Sequence, residues 1–144
     1  MIEAATPRDL DEFCERIQYV RTPSLRGIKL VEGGLIQACV GFDYWTHTAA
    51  QMHVWVGTQI TRRFIQETLK YLFVDCKKEL AIGVTPGDNR AALDFNKRIG
   101  FRKTYEVKDG WRLGTSMVIQ ELRKHECIWI RRFYESERTA RSAA

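Results

Sequence analysis

The sequence predicts an α/β (α+β) fold, in which a mixed, mostly antiparallel central sheet is flanked by helices. Three observations carry this expectation. Residues 89–101 (Asn-Arg-Ala-Ala-Leu-Asp-Phe-Asn-Lys-Arg-Ile-Gly-Phe) read as a complete capped helix delivered straight into a strand. Glu32-Gly33-Gly34 joins two segments rich in β-branched and aromatic residues and supplies the positive backbone angles of a tight antiparallel hairpin. An amphipathic helix opening at Thr61 lies between the alternating segment 51–56 and the apolar run 80–84, and a helical crossover of that kind makes the two strands parallel.

Taken in order, Met1 to Ala5 reads as a short strand, and Thr6-Pro7 as an N-cap with proline at the first helical position. That helix runs to about Ile17, with Phe13, Arg16 and Ile17 at helical spacing. Tyr19 to Leu25, with Pro23 inside, is compatible with a short second helix or a substrate loop. Strands follow at 28–31 and 35–45, then a polar break at Thr46-His47-Thr48 and a fourth strand at 51–56. In the helix capped by Thr61, Phe64, Ile65, Leu69, Leu72, Phe73 and Cys76 share one side, and Lys77-Lys78 suits the negative end of its dipole. Leu80 to Val84 has the composition of a strand buried on both faces. Asn89 is the N-cap of the next helix, Ala92, Phe95 and Ile99 form its apolar face, and Gly100 ends it. Phe101 to Val107, a turn at Lys108-Asp109-Gly110, and Trp111 to Leu122 complete a second hairpin.

The 144 residues suit one domain with a substantial core. Cys14, Cys39, Cys76 and Cys127 are far apart and lie in apolar segments, which points to reduced cysteines and a cytoplasmic protein. There is neither a charged-then-apolar leader nor a run of the roughly 20 apolar residues that crosses a bilayer, so membrane and secretion readings are set aside. The net charge of +5 suits a polyanionic ligand, either nucleic acid or a phosphorylated cofactor. Much of the excess sits in Arg123, Lys124, Arg131, Arg132, Arg138 and Arg141, where a solvated terminal helix and tail is the favoured explanation.

The pattern Asn-x-x-Ala-x-x-Phe-x-Lys-x-x-Gly-Phe at 89–101 resembles the last helix and following strand of the Gcn5-related N-acetyltransferases, the GNAT family. The order of elements over residues 1–122 is similar to the GNAT arrangement as well. Residues 123–144 would then be a basic, partly helical C-terminal extension, similar to the ends of some phage-encoded members. The resemblance implies that the parallel fourth and fifth strands splay apart and that the pantetheine arm of acetyl-CoA fills the gap like an added strand. It further implies that Val54 and Val56 meet the pantetheine and acetyl group, and that Gln59, Ile60, Thr61, Arg62 and Arg63 cradle the pyrophosphate at a helix N-terminus. Asn89 and Phe95 would complete the acetyl-CoA site.

Two positions depart from the family pattern. The family cradle is rich in glycine, whereas Gly57-Thr58-Gln59-Ile60-Thr61-Arg62-Arg63 holds one, leaving the Thr61 hydroxyl and the two guanidiniums to bind phosphate. Asn96 stands where many members place the tyrosine that protonates the leaving thiolate. Its amide can hold a water or bond sulfur, but it cannot act as a general acid, and Tyr105 and Tyr44 are the available substitutes. A free amine with a pKa of about 10 is protonated at neutral pH, so acetyl transfer needs a proton acceptor. His53, on the fourth strand beside the expected thioester, is the first candidate and Asp43 the second. His47 reads as a turn residue and His125 as part of the extension, and no His/Cys spacing supports a metal site.

The leading function is therefore an acyl-CoA-dependent N-acetyltransferase that moves the acetyl group of acetyl-CoA to an amine acceptor by direct attack. A GNAT-like protein that binds acyl-CoA or a partner without turnover is the alternative, and a basic nucleic-acid-binding module ranks third. The acceptor, a small molecule or a protein amine, would meet residues 18–26 and 106–114, where Tyr19, Asp109 and Trp111 are available. Ile128-Trp129-Ile130 with Phe133-Tyr134 would pack on the domain or on a second copy in a homodimer.

Overall fold

In a computed structural model, residues 1–133 are described. Seven strands, β1 (Ile2–Ala4), β2 (Arg26–Glu32), β3 (Leu35–Asp43), β4 (Ala49–Val56), β5 (Leu80–Pro86), β6 (Arg102–Arg112) and β7 (Thr115–Arg123), form one sheet in the order β1-β2-β3-β4-β5-β7-β6. Every neighbouring pair is antiparallel except β4 and β5, which are parallel, as the crossover requires. Among the described residues three helices of nine residues or more, α1 (Pro7–Ile17), α2 (Arg62–Lys70) and α3 (Arg90–Ile99), pack on its faces. No helix among the described residues is long and apolar enough to cross a membrane.

Local chemistry sets the helix ends. Thr6 accepts from the Asp9 amide while the Asp9 carboxylate accepts from the Thr6 amide, a reciprocal capping box ahead of Pro7. Thr61 caps α2 through the Phe64 amide at 3.1 Å, and Asn89 caps α3 through the Ala92 amide at 3.2 Å. Gly100 closes α3 at φ 123°, a conformation open to glycine. A π-helical turn, Tyr71–Asp75, extends α2, and Leu72 and Phe73 are both buried there.

The sheet alternation divides the core in two. Val40, Phe42 and Met52 face α2 and α3 and join Phe64, Leu69 and Leu122 in the larger cluster. Cys39 faces α1 with Leu10, Phe13, Cys14 and Leu25. Gly41 lies beneath α1, and a Cβ there would stand 2.7 Å from Phe13 Cε1, so a side chain would push the helix off the sheet.

The extension beyond β7 continues the packing. Cys127 and Ile130 are buried in the larger cluster, the Trp129 indole N–H donates to the Ile99 carbonyl at 2.9 Å, and the Gln66 amide donates to the Trp129 carbonyl at 3.1 Å. Ile130 and Trp129 thus pack on their own domain. Tyr134, Arg138 and Arg141 lie outside the described residues.

The second hairpin differs from expectation. Its turn is at Leu113-Gly114, with Arg112 opposite Thr115, and Asp109-Gly110 forms an irregularity within β6. Asp109 does take a left-handed conformation, at φ 57°, but its carboxylate accepts from the Gly114 amide at 2.8 Å and braces the later turn. Residues 19–25 form a loop without a helix.

Candidate active site

The centre of the sheet holds a gap. Parallel pairing joins Ala49–Gln51 to Leu80–Ile82 and stops there, although β4 runs on to Val56 and β5 to Pro86. Beyond Gln51, β4 stays paired with β3, and beyond Ile82, β5 stays paired with β7. The Leu80 amide donates to the Thr48 carbonyl at 3.1 Å, whereas the Gly57 amide donates to the Gln37 carbonyl of the β3 side at 2.8 Å. Alternation then turns the backbone groups of Met52, Val54 and Val56 toward the gap. Val54 is half-buried and Val56 exposed, so both border an opening with unpaired donors and acceptors.

Beside that opening, on the α1 face, Asp43 and His53 meet. Gly41 is the direct partner of His53 and Gln51 that of Asp43, so the two side chains are diagonal neighbours on one face. His53 Nε2 lies 2.7 Å from Asp43 Oδ1. The other carboxylate oxygen accepts from the Tyr19 hydroxyl at 2.6 Å and the Thr22 hydroxyl at 2.8 Å. The Tyr19 and His53 rings stack at 4.3 Å between centroids, tilted by 35°. Asp43 is 0 % exposed. Burial acts to raise its pKa, but the bonds from His53, Tyr19 and Thr22 outweigh burial and hold the carboxyl below its ordinary value. Ionised Asp43 makes Nε2 the donor and leaves the lone pair of the imidazole on Nδ1. Burial first, then the bond to Asp43, pushes the Tyr19 phenol well above its ordinary pKa, so Tyr19 stays protonated. The arrangement can accept a proton at His53 and stabilise the resulting imidazolium against a buried carboxylate.

The remaining site residues are spread around the gap. Arg62 and Arg63 are exposed in the first turn of α2, which contains no acidic residue, and neither has a hydrogen bond or ion pair among the described residues. Two cations at the positive end of a helix are unfavourable for the fold itself. The Thr61 oxygen is occupied as the cap. The Thr58 hydroxyl donates to the Gln37 side chain, and the Gln59 amide donates to Glu32 at 3.0 Å, tying the loop back to the first hairpin. Ile60 and Phe95 turn inward against the larger cluster, as Val54 does. Asn89 uses its oxygen as a cap and keeps its amide protons.

Asn96 donates to the Gln120 side chain at 3.0 Å, with Gly83 of β5 beside its amide nitrogen. Tyr105 is 65 % exposed on the edge strand β6. Three strand spacings, about 14 Å, separate it from β4, so the fold does not bring it to His53. Tyr44, just past β3, is also exposed. Thr22 escaped the sequence analysis because an isolated loop threonine carries no signal until its loop is placed.

No protein-family model matches the chain, and no curated protein matches it in sequence. Solved structures do resemble it. Mutant forms of the spermidine/spermine N-acetyltransferase SpeG from Vibrio cholerae superpose with a TM-score of 0.70 at 12 % identity, over 92 % of this chain and 98 % of that one. SpeG with manganese ions gives 0.70 at 11 % identity, over 94 % and 96 %. A GNAT-family structure from Desulfovibrio desulfuricans gives 0.61 at 16 % identity, over 85 % and 99 %. With its seven-stranded sheet, single parallel pair and flanking helices, the chain has the fold of the GNAT acetyltransferases.

Proposed function

We propose that this chain is an acyl-CoA-dependent N-acetyltransferase that transfers acetyl from acetyl-CoA to an amine by direct attack. The observation that carries the proposal is the open β4/β5 gap with the Asp43–His53 pair beside it. Unpaired backbone groups of Val54 and Val56, beyond the last paired rung, suit an extended amide-bearing arm, and their N–H groups suit the oxyanion of a tetrahedral intermediate. Arg62 and Arg63 have no ion-pair partner among the described residues, and a pyrophosphate there would neutralise them. Asn89 can donate its amide protons at the other side of the gap.

In the proposed reaction His53 Nδ1 takes one proton from the acceptor ammonium and passes it to solvent. Asp43 holds the ring by Nε2 and balances its transient charge. The freed amine nitrogen bonds to the thioester carbon, the C–S bond breaks, and the second nitrogen-bound proton goes to the departing thiolate. Asn96 takes no part as an acid, since its amide is bonded to Gln120. That bond is also what favours the second reading, a GNAT-like protein that binds acyl-CoA without efficient turnover.

Calorimetric titration with acetyl-CoA and desacetyl CoA at two salt concentrations tests the cofactor assignment, followed by an amine panel monitored by thiol release. Saturable binding with turnover supports the enzyme. Binding without turnover on any amine supports the second reading, and failure to bind either ligand sinks both.

A further inference from the structure

The open face of the sheet carries apolar side chains that belong to neither core cluster. On the α1 side, register places His53 level with Val84 across the gap, Val84 opposite Ile119, and Ile119 opposite Tyr105. The next row continues with Pro86 opposite Met117 and Met117 opposite Val107. An irregularity between Lys103 and Tyr105 shifts the alternation of β6 so that Tyr105 and Val107 join this face. Val84, Ile119, Met117 and Val107 are only half-buried, and Tyr105 is exposed. The two core clusters and the residues packed against them omit this strip, and α1 covers the neighbouring half of the sheet.

Its charge is equally informative. Asp43, at the His53 end, already accepts from three side chains. Glu121, one row below, is paired with Arg123 at 3.2 Å. Among the described residues the rows of His53 and Pro86 hold no carboxylate, and those at the far end are partnered, Asp88 with Arg112 at 2.8 Å and Asp109 with the Gly114 amide at 2.8 Å, so one ammonium finds His53 while a second positive charge on the same molecule finds no free carboxylate on the strip.

We propose that the acceptor is a monoamine carried on an apolar or aromatic body, its nitrogen at His53 and its body along Val84, Ile119 and Tyr105. This rests on the acetyltransferase reading and narrows it against polyamine acceptors. Tyr105 then acts as a wall for the acceptor instead of an acid.

Equilibrium binding of n-butylamine, n-hexylamine, n-octylamine, phenethylamine and spermidine is measured by calorimetry, with the protein alone and with desacetyl CoA. Each added methylene is expected to tighten binding roughly two- to fourfold, so octylamine exceeds butylamine by at least about tenfold. Spermidine is expected to bind more weakly than hexylamine. Ile119→Ser flattens the chain-length series while desacetyl CoA affinity is kept, and Tyr105→Ser, at an exposed position three strands from His53, weakens octylamine most and leaves the shorter phenethylamine nearly unchanged. A flat series, tighter spermidine binding, or concentration-dependent self-association that abolishes amine binding would overturn the proposal. Failure to bind desacetyl CoA would instead remove the acetyltransferase reading, and the series with protein alone would still decide what the strip holds.

Discussion

Replacing Asp43 with asparagine takes a charge away from a position that is 0 % exposed and leaves three donors around a neutral amide. Removing one partner of a buried pair costs about 3–5 kcal/mol. The amide keeps the shape and one acceptor oxygen, so the lower end applies, about 3 kcal/mol; at about 3 °C per kcal/mol for a chain of this size, Tm falls by about 9 °C near neutral pH. The pH dependence is signed. Burial acts to raise the Asp43 pKa, but the bonds from His53, Tyr19 and Thr22 outweigh it and leave the carboxyl below its ordinary value in the folded protein. A group with a lowered folded pKa adds stability that is complete above its unfolded pKa and is lost as the pH falls through the folded one. The difference in Tm between wild type and Asp43→Asn is therefore constant from pH 7 to about 5 and shrinks below about 4. Thermal melts followed by circular dichroism between those limits measure it. A gap of under about 2 °C at neutral pH, or one that widens in acid, would refute the account of this network.

The other expectations concern the gap and its surroundings. His53→Gln should lower kcat/KM about 100-fold and remove the rise of rate around neutral pH, with desacetyl CoA affinity unchanged; an unaltered profile clears His53 of proton transfer. Arg62→Ala combined with Arg63→Ala should weaken desacetyl CoA binding at least about tenfold in calorimetry. The same double variant, free of ligand, should melt no lower than wild type, because it relieves two cations at a positive helix end. Ile130→Ala should cost about 3 kcal/mol, read as a drop of about 9 °C in Tm, whereas an extension that merely followed a finished domain would leave Tm unmoved.

What could be read from the sequence was what is encoded locally. Asn89 and Gly100 mark the ends of α3 by their own side-chain and backbone preferences, and Glu32-Gly33-Gly34 fixes a hairpin within a few residues. Asp109-Gly110 looked like a turn by the same logic, and Asp109 does adopt the conformation of one. The turn nevertheless moved to Leu113-Gly114, because the pairing of Met117 with both Pro86 and Val107 sets the register from outside the hairpin. The site shows the same division. His53 and Asp43 were each legible as chemistry on adjacent strands, but their diagonal contact depends on the register of β3 with β4, and the Thr22 contact depends on a loop path with no periodic signal.

The gap between β4 and β5 also bears on how this protein avoids its own copies. Its outer margin β6 is studded with Arg102, Lys103, Lys108 and Arg112, the kind of charge that discourages a neighbouring chain from adding a strand. The β4 margin has no such guard, since Val54 and Val56 carry apolar side chains beside free backbone groups. Geometry stands in for charge. The two strands are joined at Ala49–Gln51 and Leu80–Ile82, so the opening narrows to a closed corner, and a polypeptide with side chains above and below its plane could enter only by prying that corner apart. The narrowing of the gap thus works against aggregation whatever the gap holds, and a change that lengthened it by breaking the last paired rung is expected to expose the centre of the sheet to intermolecular strand pairing.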